Sequence, residues 1–118
     1  MVQYTIISKM VSRKEKGICI FHVKLSLGRG FISERIIWKI PQSARYPHGV
    51  KYSLVLVNSK THEVILLYDN HWPKGPHIHW DQKERSYEYK DIENLMRDFI
   101  KESEIEEARY YENKKNNY

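Results

Sequence analysis

The chain has 118 residues, of which 41% are hydrophobic and 13% aromatic, and its formal net charge is +5. This length predicts one domain over residues 1–118, and the composition excludes an intrinsically disordered chain. No apolar run reaches the ~20 residues that span a bilayer, and no signal-peptide pattern opens the sequence, so we expect no membrane partner. The single cysteine, Cys19, excludes an internal disulfide, predicts a cytoplasmic location and is expected to be a small buried hydrophobe.

The charge is distributed unevenly along the chain. Residues 1–90 carry 15 Lys and Arg against 7 Asp and Glu, whereas residues 91–118 carry 5 against 8. A basic body suits a polyanionic partner, and RNA is the partner we expect. A solvated basic surface that binds no nucleic acid stays open as the alternative.

The first half of the chain predicts an opening strand and a hairpin. The opening strand covers residues 4–11, and residues 17–27 and 31–40 form the hairpin around a tight turn at 28–30. In the first hairpin strand, apolar residues alternate with polar ones. The alternation places on one face Cys19, Phe21, Val23, Leu25 and Leu27, with His22 on the other face and at the surface.

A second hairpin follows a loop. Two prolines and a glycine exclude regular pairing over residues 41–49. Residues 50–57 and 63–70 then form the hairpin around a turn at 58–62, and residues 86–90 add one short strand.

The period of the apolar residues changes after residue 90. One helical stripe is formed by Ile92, Leu95, Met96, Phe99 and Ile100. Asp91 is the expected N-cap, the helix covers 91–111, and the polar residues 112–118 are expected to fray. The sequence therefore predicts an α+β fold, an antiparallel β-sheet within 17–90 with a C-terminal α-helix packed on one face.

The segment 68–80, YDNHWPKGPHIHW, concentrates the chemically active side chains at the end of a predicted strand. His77 and His79 are two residues apart, so both rings lie on the same side of an extended backbone. With Asp69 and Lys74 they could cleave RNA without a cofactor, because imidazoles with a pKa near ~6.5 act as base and acid at neutral pH. A lysine would stabilise the charge that develops on phosphorus.

Two other interpretations of this segment stay open. His77 and His79 could bind zinc or manganese together with His71 or Asp69, although no second carboxylate cluster is visible beside them. The histidines could also decorate a polar loop beside the aromatic residues of the segment. Residues expected to contact substrate are basic or aromatic: Arg35, Arg45, Lys51, Tyr52, Trp72, Trp80 and Arg85.

Several of these motifs occur together in a known family. The pattern PHGVKYSLVLV, YDNHWPKGPHIHW and YEYKDIENLMRDFI, over roughly residues 31–101, resembles the TumE family of small bacterial and archaeal toxins. Its most specific positions are Tyr68, Asp69, Asn70, Lys74, Gly75, His77 and His79, with Lys51 and Tyr52 upstream. The resemblance implies a toxin whose partner is a helix-turn-helix antitoxin, and assembly into a homo-oligomer stays open.

Three functions are consistent with these patterns. The first is an RNA-cleaving toxin, a metal-independent ribonuclease that uses His77 and His79. The second is a binding module that clamps nucleic acid or a translation component without catalysis. The third is a metal-dependent enzyme, for which no phosphate-cradling glycine loop supports a nucleotide pocket.

Overall fold

A computed structural model describes residues 3–6, 11–12 and 17–115 of the chain, with side chains over 17–113. Its contacts divide the chain into two compact units, residues 1–87 and residues 88–118. The first unit contains the strands and the second contains the helix, which makes the chain an α+β protein as predicted. That the whole chain forms one domain stays a prediction.

The first unit is one antiparallel sheet. Its strands are β1 (Gln3–Ile6), β2 (Val11–Ser12), β3 (Gly17–Leu27), β4 (Phe31–Lys39), β5 (Val50–Asn58), β6 (Val64–Asp69), β7 (His77–Trp80) and β8 (Lys83–Ser86). From β3 to β8 each strand pairs with the next one along the chain, while β1 and β2 both pair with β3. Strands that pair in chain order need only short connections, so the described part of the sheet is built from hairpins.

Both predicted hairpins are confirmed. The first joins β3 to β4 through Gly28–Gly30, where Arg29 and Gly30 have φ of 71° and 85°. The second joins β5 to β6, and the side-chain oxygen of Asn58 accepts the backbone N–H groups of Lys60 and Thr61 in its turn. The predicted opening strand is divided between β1 and β2, and residues 7–10 lie outside the described residues.

The pairing register gives the sheet two different faces. One, the core face, carries seven buried residues: Ile37, Tyr52, Leu54, Leu56, Leu66, Tyr68 and Ile78. The other, the site face, carries Ser53, Asp69, His77, His79 and Glu84. Successive residues of a strand alternate between faces, so Asp69, His77 and His79 lie on the face opposite to the core face.

The predicted face of β3 is wrong at its beginning. The register shifts between Cys19 and Phe21, so these two residues lie on opposite faces. A bulge inserts one extra residue and thereby reverses the alternation. His22, predicted at the surface, is 7% exposed, and its Nε2 atom lies 2.7 Å from Glu34. The pair gives the Glu34 carboxylate a partner in β3, although its neighbours in the β4 alternation are isoleucines. Cys19 is buried, as predicted.

The short strand predicted at 86–90 is also wrong. β8 ends at Ser86, and residues 87–91 form no strand. The sequence between β7 and β8 has no glycine, yet Asp81 and Gln82 have φ of 47° and 58°. Two successive positive φ values characterise the two-residue type I′ turn, which closes a hairpin earlier than the alternation suggests.

The second unit contains one helix, α1 (Ile92–Lys115). Asp91 caps it as predicted, because its side-chain oxygen accepts the backbone N–H of Asn94 at 2.7 Å. Of the predicted apolar stripe, Leu95 and Phe99 are buried whereas Ile100 is exposed. The helix continues to residue 115, so the fraying predicted from residue 112 is wrong for 112–115, and 116–118 lie outside the described residues. That α1 packs on one face of the sheet stays a prediction.

No helix in the described part of the chain is long and apolar enough to cross a membrane.

Candidate functional site

The site face brings three of the four predicted catalytic residues together at one edge of the sheet. Asp69 of β6 is directly opposite His77 of β7, and His79 is opposite Glu84 of β8. The ring centroids of the two histidines are 4.6 Å apart, with an interplanar angle of 85°. Because directly opposed residues on one face are close in space, the hairpin register alone places these groups within contact distance.

His77 is held at both ring nitrogens. Its Nδ1 atom donates a hydrogen bond to the Gly75 carbonyl at 2.7 Å, and its Nε2 atom lies 3.2 Å from Oδ1 of Asp69. Its side chain is only 8% exposed. A carbonyl and a carboxylate oxygen both accept, so the ring satisfies both neighbours when each nitrogen carries a proton. His77 is therefore fixed in one orientation with a carboxylate beside it.

His79 is the more accessible imidazole, with 33% of its side chain exposed. Its Nδ1 atom lies 3.9 Å from Oε2 of Glu84, which is an ion-pair distance rather than a hydrogen bond. The same Oε2 atom accepts a hydrogen bond from Nζ of Lys74 at 3.0 Å. The fourth predicted residue, Lys74, therefore borders the histidines through Glu84.

Glu84 is the site residue that the sequence did not indicate. It was expected in no strand, because the alternation suggested a strand only from residue 86. The hydrogen bond from Lys74 lowers the pKa of the Glu84 carboxyl below its usual range, and the nearby charges of Lys74, His79 and His77 lower it further. A correctly recognised two-residue turn at Asp81 would have predicted that Glu84 faces His79.

The same residues form a candidate ligand set for a metal ion. Ligand atoms of His77, His79 and Glu84 all lie within 4.8 Å of one another. Two imidazole nitrogens and one carboxylate oxygen are a donor set that zinc accepts. The sequence had suggested His71 or Asp69 as the third ligand, and Glu84 is the one that the described residues bring into this group.

The loop between β6 and β7 is fixed by backbone contacts. Oδ1 of Asn70 accepts the backbone N–H of Tyr52, and its Nδ2 donates to the Val50 carbonyl, both at 2.9 Å. The backbone N–H of His71 donates to Oδ1 of Asp69 at 3.1 Å. Gly75 has a φ of 74°, which favours glycine, and supplies the carbonyl that orients His77. Of the Tyr-Asp-Asn sequence, Tyr68 therefore belongs to the core, Asp69 belongs to the candidate site, and Asn70 anchors the loop.

Three of the predicted substrate contacts lie around one buried tyrosine, Tyr46. Its hydroxyl accepts the backbone N–H of Trp72 at 3.2 Å, and Nζ of Lys51 lies 6.0 Å from its ring centroid. The guanidinium carbon of Arg45 lies 4.1 Å from the Trp72 ring centroid. Tyr46 was not among the predicted contacts, because its only signal in the sequence is an aromatic residue inside a proline-bounded loop.

The other four predicted contacts do not lie with the histidines. Tyr52, Arg35, Trp80 and Arg85 all belong to the core-face register. Tyr52 is 3% exposed, and burial lowers the pKa of the Arg35 guanidinium from its usual range. The Arg85 guanidinium covers the Trp80 ring at 4.3 Å. Strand alternation separates these four from the catalytic candidates by one sheet thickness.

Comparison with known proteins gives one result. The model of the family described as Toxin TumE matches residues 6–109. A search of curated proteins found no match, and a search of solved structures found none. The match includes all the residues of the site face that are named above.

Proposed function

Because the chain belongs to the TumE toxin family, and is thereby the toxin of a toxin–antitoxin pair, we propose that it is an endoribonuclease that needs no metal ion. One observation carries the proposal: a pair of imidazoles in edge contact, one of them beside a carboxylate, on the site face of the sheet. Cleavage of RNA by its own 2′-hydroxyl requires only a base, an acid and a cation, and residues of these types occur here.

The different surroundings of the two histidines suggest their roles. His79, the more exposed ring, takes the proton from the ribose 2′-hydroxyl, and the 2′-oxygen attacks phosphorus. The bond from phosphorus to the 5′-oxygen breaks, and His77 gives its Nε2 proton to that leaving oxygen. Asp69 orients His77 for this step, because its carboxylate is 3.2 Å from Nε2. The products are a 2′,3′-cyclic phosphate and a 5′-hydroxyl.

Lys74 supplies the cation in this scheme. Its side chain is 58% exposed, and Glu84 holds its ammonium group beside the histidines. A phosphate that enters the site replaces the Glu84 carboxylate as the partner of the Lys74 ammonium group. The exposed pair contributes little stability, so its exchange costs little.

A metal-dependent nuclease is the second candidate, and Glu84 is the observation that favours it. His77, His79 and Glu84 could hold a zinc ion with an open position for water. Lys74 competes with such an ion, because its ammonium group is hydrogen-bonded to Oε2, one of the two Glu84 oxygens that could bind the metal.

Cleavage of RNA by the purified protein tests both candidates. We expect the His77→Ala/His79→Ala double variant to lose cleavage, and His62→Asn to retain it. His62 is exposed and has a φ of 64°, a conformation that asparagine tolerates, so this control removes an imidazole without strain. The wild-type protein should cleave in the presence of a chelator and leave a 2′,3′-cyclic phosphate end.

Each other outcome selects a different function. Cleavage abolished by chelator and restored by zinc or manganese would establish the metal-dependent candidate. RNA binding without cleavage, together with growth inhibition that the double alanine variant retains, would establish a non-catalytic binding module.

The family implies an antitoxin partner, and we propose that this partner is a helix-turn-helix protein that acts with the toxin in the cytoplasm. Co-expression of a helix-turn-helix protein encoded beside the toxin should restore growth. Growth that is restored instead by a neighbouring gene product of another fold would contradict the proposal.

A further inference from the structure

A pocket is formed by residues of the loop between β4 and β5 and of the loop between β6 and β7. Its volume is about 260 Å³, and its walls include the side chains of Arg45, Tyr46, His71 and Trp72. Ile40 and Pro41 add apolar lining. Pockets for drug-sized ligands begin at roughly 300 Å³, so this one suits a smaller group.

Two loops form this pocket, and hydrogen bonds fix them to each other. Tyr46 is 6% exposed, and its hydroxyl accepts the Trp72 backbone N–H. Its own loop is closed by the bond from the Tyr46 N–H to the hydroxyl of Ser43 and by the bond from the Gly49 N–H to the Tyr46 carbonyl. These hydrogen bonds therefore preform the aromatic wall of the pocket.

The wall chemistry indicates a planar, aromatic ligand that carries negative charge nearby. The Arg45 guanidinium lies over the Trp72 ring at 4.1 Å, which presents two stacked planar groups at the pocket. Bases stack on indole rings and on guanidinium planes irrespective of their sequence. His71 adds a donor and an acceptor, and Arg45 and Lys51 add positive charge for a phosphate.

One residue of the pocket lining contacts a catalytic candidate directly. The backbone N–H of His71 contacts the same Oδ1 atom of Asp69 that faces Nε2 of His77, at 3.1 and 3.2 Å. A single residue thus separates the pocket wall from the carboxylate of the site. Adjacent nucleotides of RNA are separated by one phosphate, so a base in the pocket and a phosphate at the histidines could belong to one nucleotide.

We propose that this pocket binds the base of the nucleotide adjacent to the cleaved phosphate. The inference rests on the proposed ribonuclease function and names the substrate subsite of the same site. The base stacks on an open face of the Arg45–Trp72 pair, whereas His71 contacts its polar edge. Selection among the bases would come from His71, because stacking itself is tolerant of sequence.

Binding of mononucleotides tests the pocket without requiring cleavage. The four nucleoside 3′-monophosphates and ribose 5-phosphate are titrated into the 15N-labelled protein, and the Trp72 amide resonance is followed. We expect saturable shifts with at least one nucleotide and none with ribose 5-phosphate. Trp72→Ala should raise the Kd at least about fivefold, since stacking contributes ~1 kcal/mol or more per base.

Matched variants separate stacking from charge and from folding. Trp72→Phe keeps an aromatic surface and should keep most of the affinity, whereas Arg45→Ala should lose more affinity than Lys60→Ala. Lys60 lies in the exposed β5–β6 turn, so its change removes the same charge outside the pocket. In Trp72→Ala the nucleotide titration is followed at the His71 amide, and an unchanged Kd there would overturn the proposal.

The remaining outcomes distinguish this proposal from the proposed function. Equal binding of ribose 5-phosphate and nucleotides, or binding of neither, would overturn the base pocket. If the antitoxin shifts the Trp72 amide resonance and no nucleotide does, the pocket is an antitoxin contact instead. Nucleotide binding that persists in the His77→Ala/His79→Ala variant supports the pocket. If the wild-type protein binds nucleotides but cleaves no RNA, the ribonuclease function fails while the base site stands.

Discussion

Replacing Asn70 by alanine should destabilise the sheet where the site loop leaves it. Asn70 is 7% exposed, and its amide makes two hydrogen bonds of 2.9 Å to backbone groups of β5. Alanine would leave the Tyr52 N–H and the Val50 carbonyl without these partners. A buried polar group left unsatisfied costs about 1–3 kcal/mol, so two such groups give an expected loss of about 2–6 kcal/mol.

Urea unfolding measures this loss. With a denaturant slope of about 2 kcal/mol/M, the midpoint should fall by about 1–3 M. Asn94→Ala is the control, because its amide bonds Asp91 at an exposed position. We expect the control to change stability by no more than about 0.5 kcal/mol, as surface substitutions usually do. A midpoint for Asn70→Ala that equals that of the control would refute the anchoring role of Asn70.

Three further predictions concern the site. Lys74→Met should raise the pKa of Glu84, because the hydrogen bond from Lys74 is the main cause of its lowering, and 13C NMR titration of the carboxyl carbon measures it. Since the native pKa lies below the unfolded one, any stability from this pair is lost as the pH falls through the native pKa. Asp69→Asn should retain the fold by circular dichroism but reduce RNA cleavage about 100-fold or more, and a full rate would contradict the orienting role. RNA affinity should fall steeply with salt, because each neutralised phosphate releases counterions, and salt-independent binding would indicate another partner.

The sequence by itself determined the class of the fold and indicated most residues of the candidate site. Alternation of apolar residues predicted both hairpins, and the helical stripe with Asp91 before it predicted α1, because these signals are local to one element. The spacing of His77 and His79 places both rings on one side only where the backbone is extended, and β7 extends this part of the predicted loop.

Errors arose where the backbone departs from regular alternation. The bulge after Cys19 reversed one face of β3, and the turn at Asp81 has none of the glycines that usually mark such turns. Both features depend on pairing with a neighbouring strand, so no pattern within one strand reveals them.

Only the tertiary structure decided which residues share the site. Glu84 joins His79 because of the β7–β8 register, whereas Arg35, Tyr52, Trp80 and Arg85 point to the core face. Charge and aromatic character are properties of a residue, but the face on which it lies depends on its strand register. A shift of one residue moves every side chain of a strand to the opposite face, and that register is fixed by partners distant in the chain.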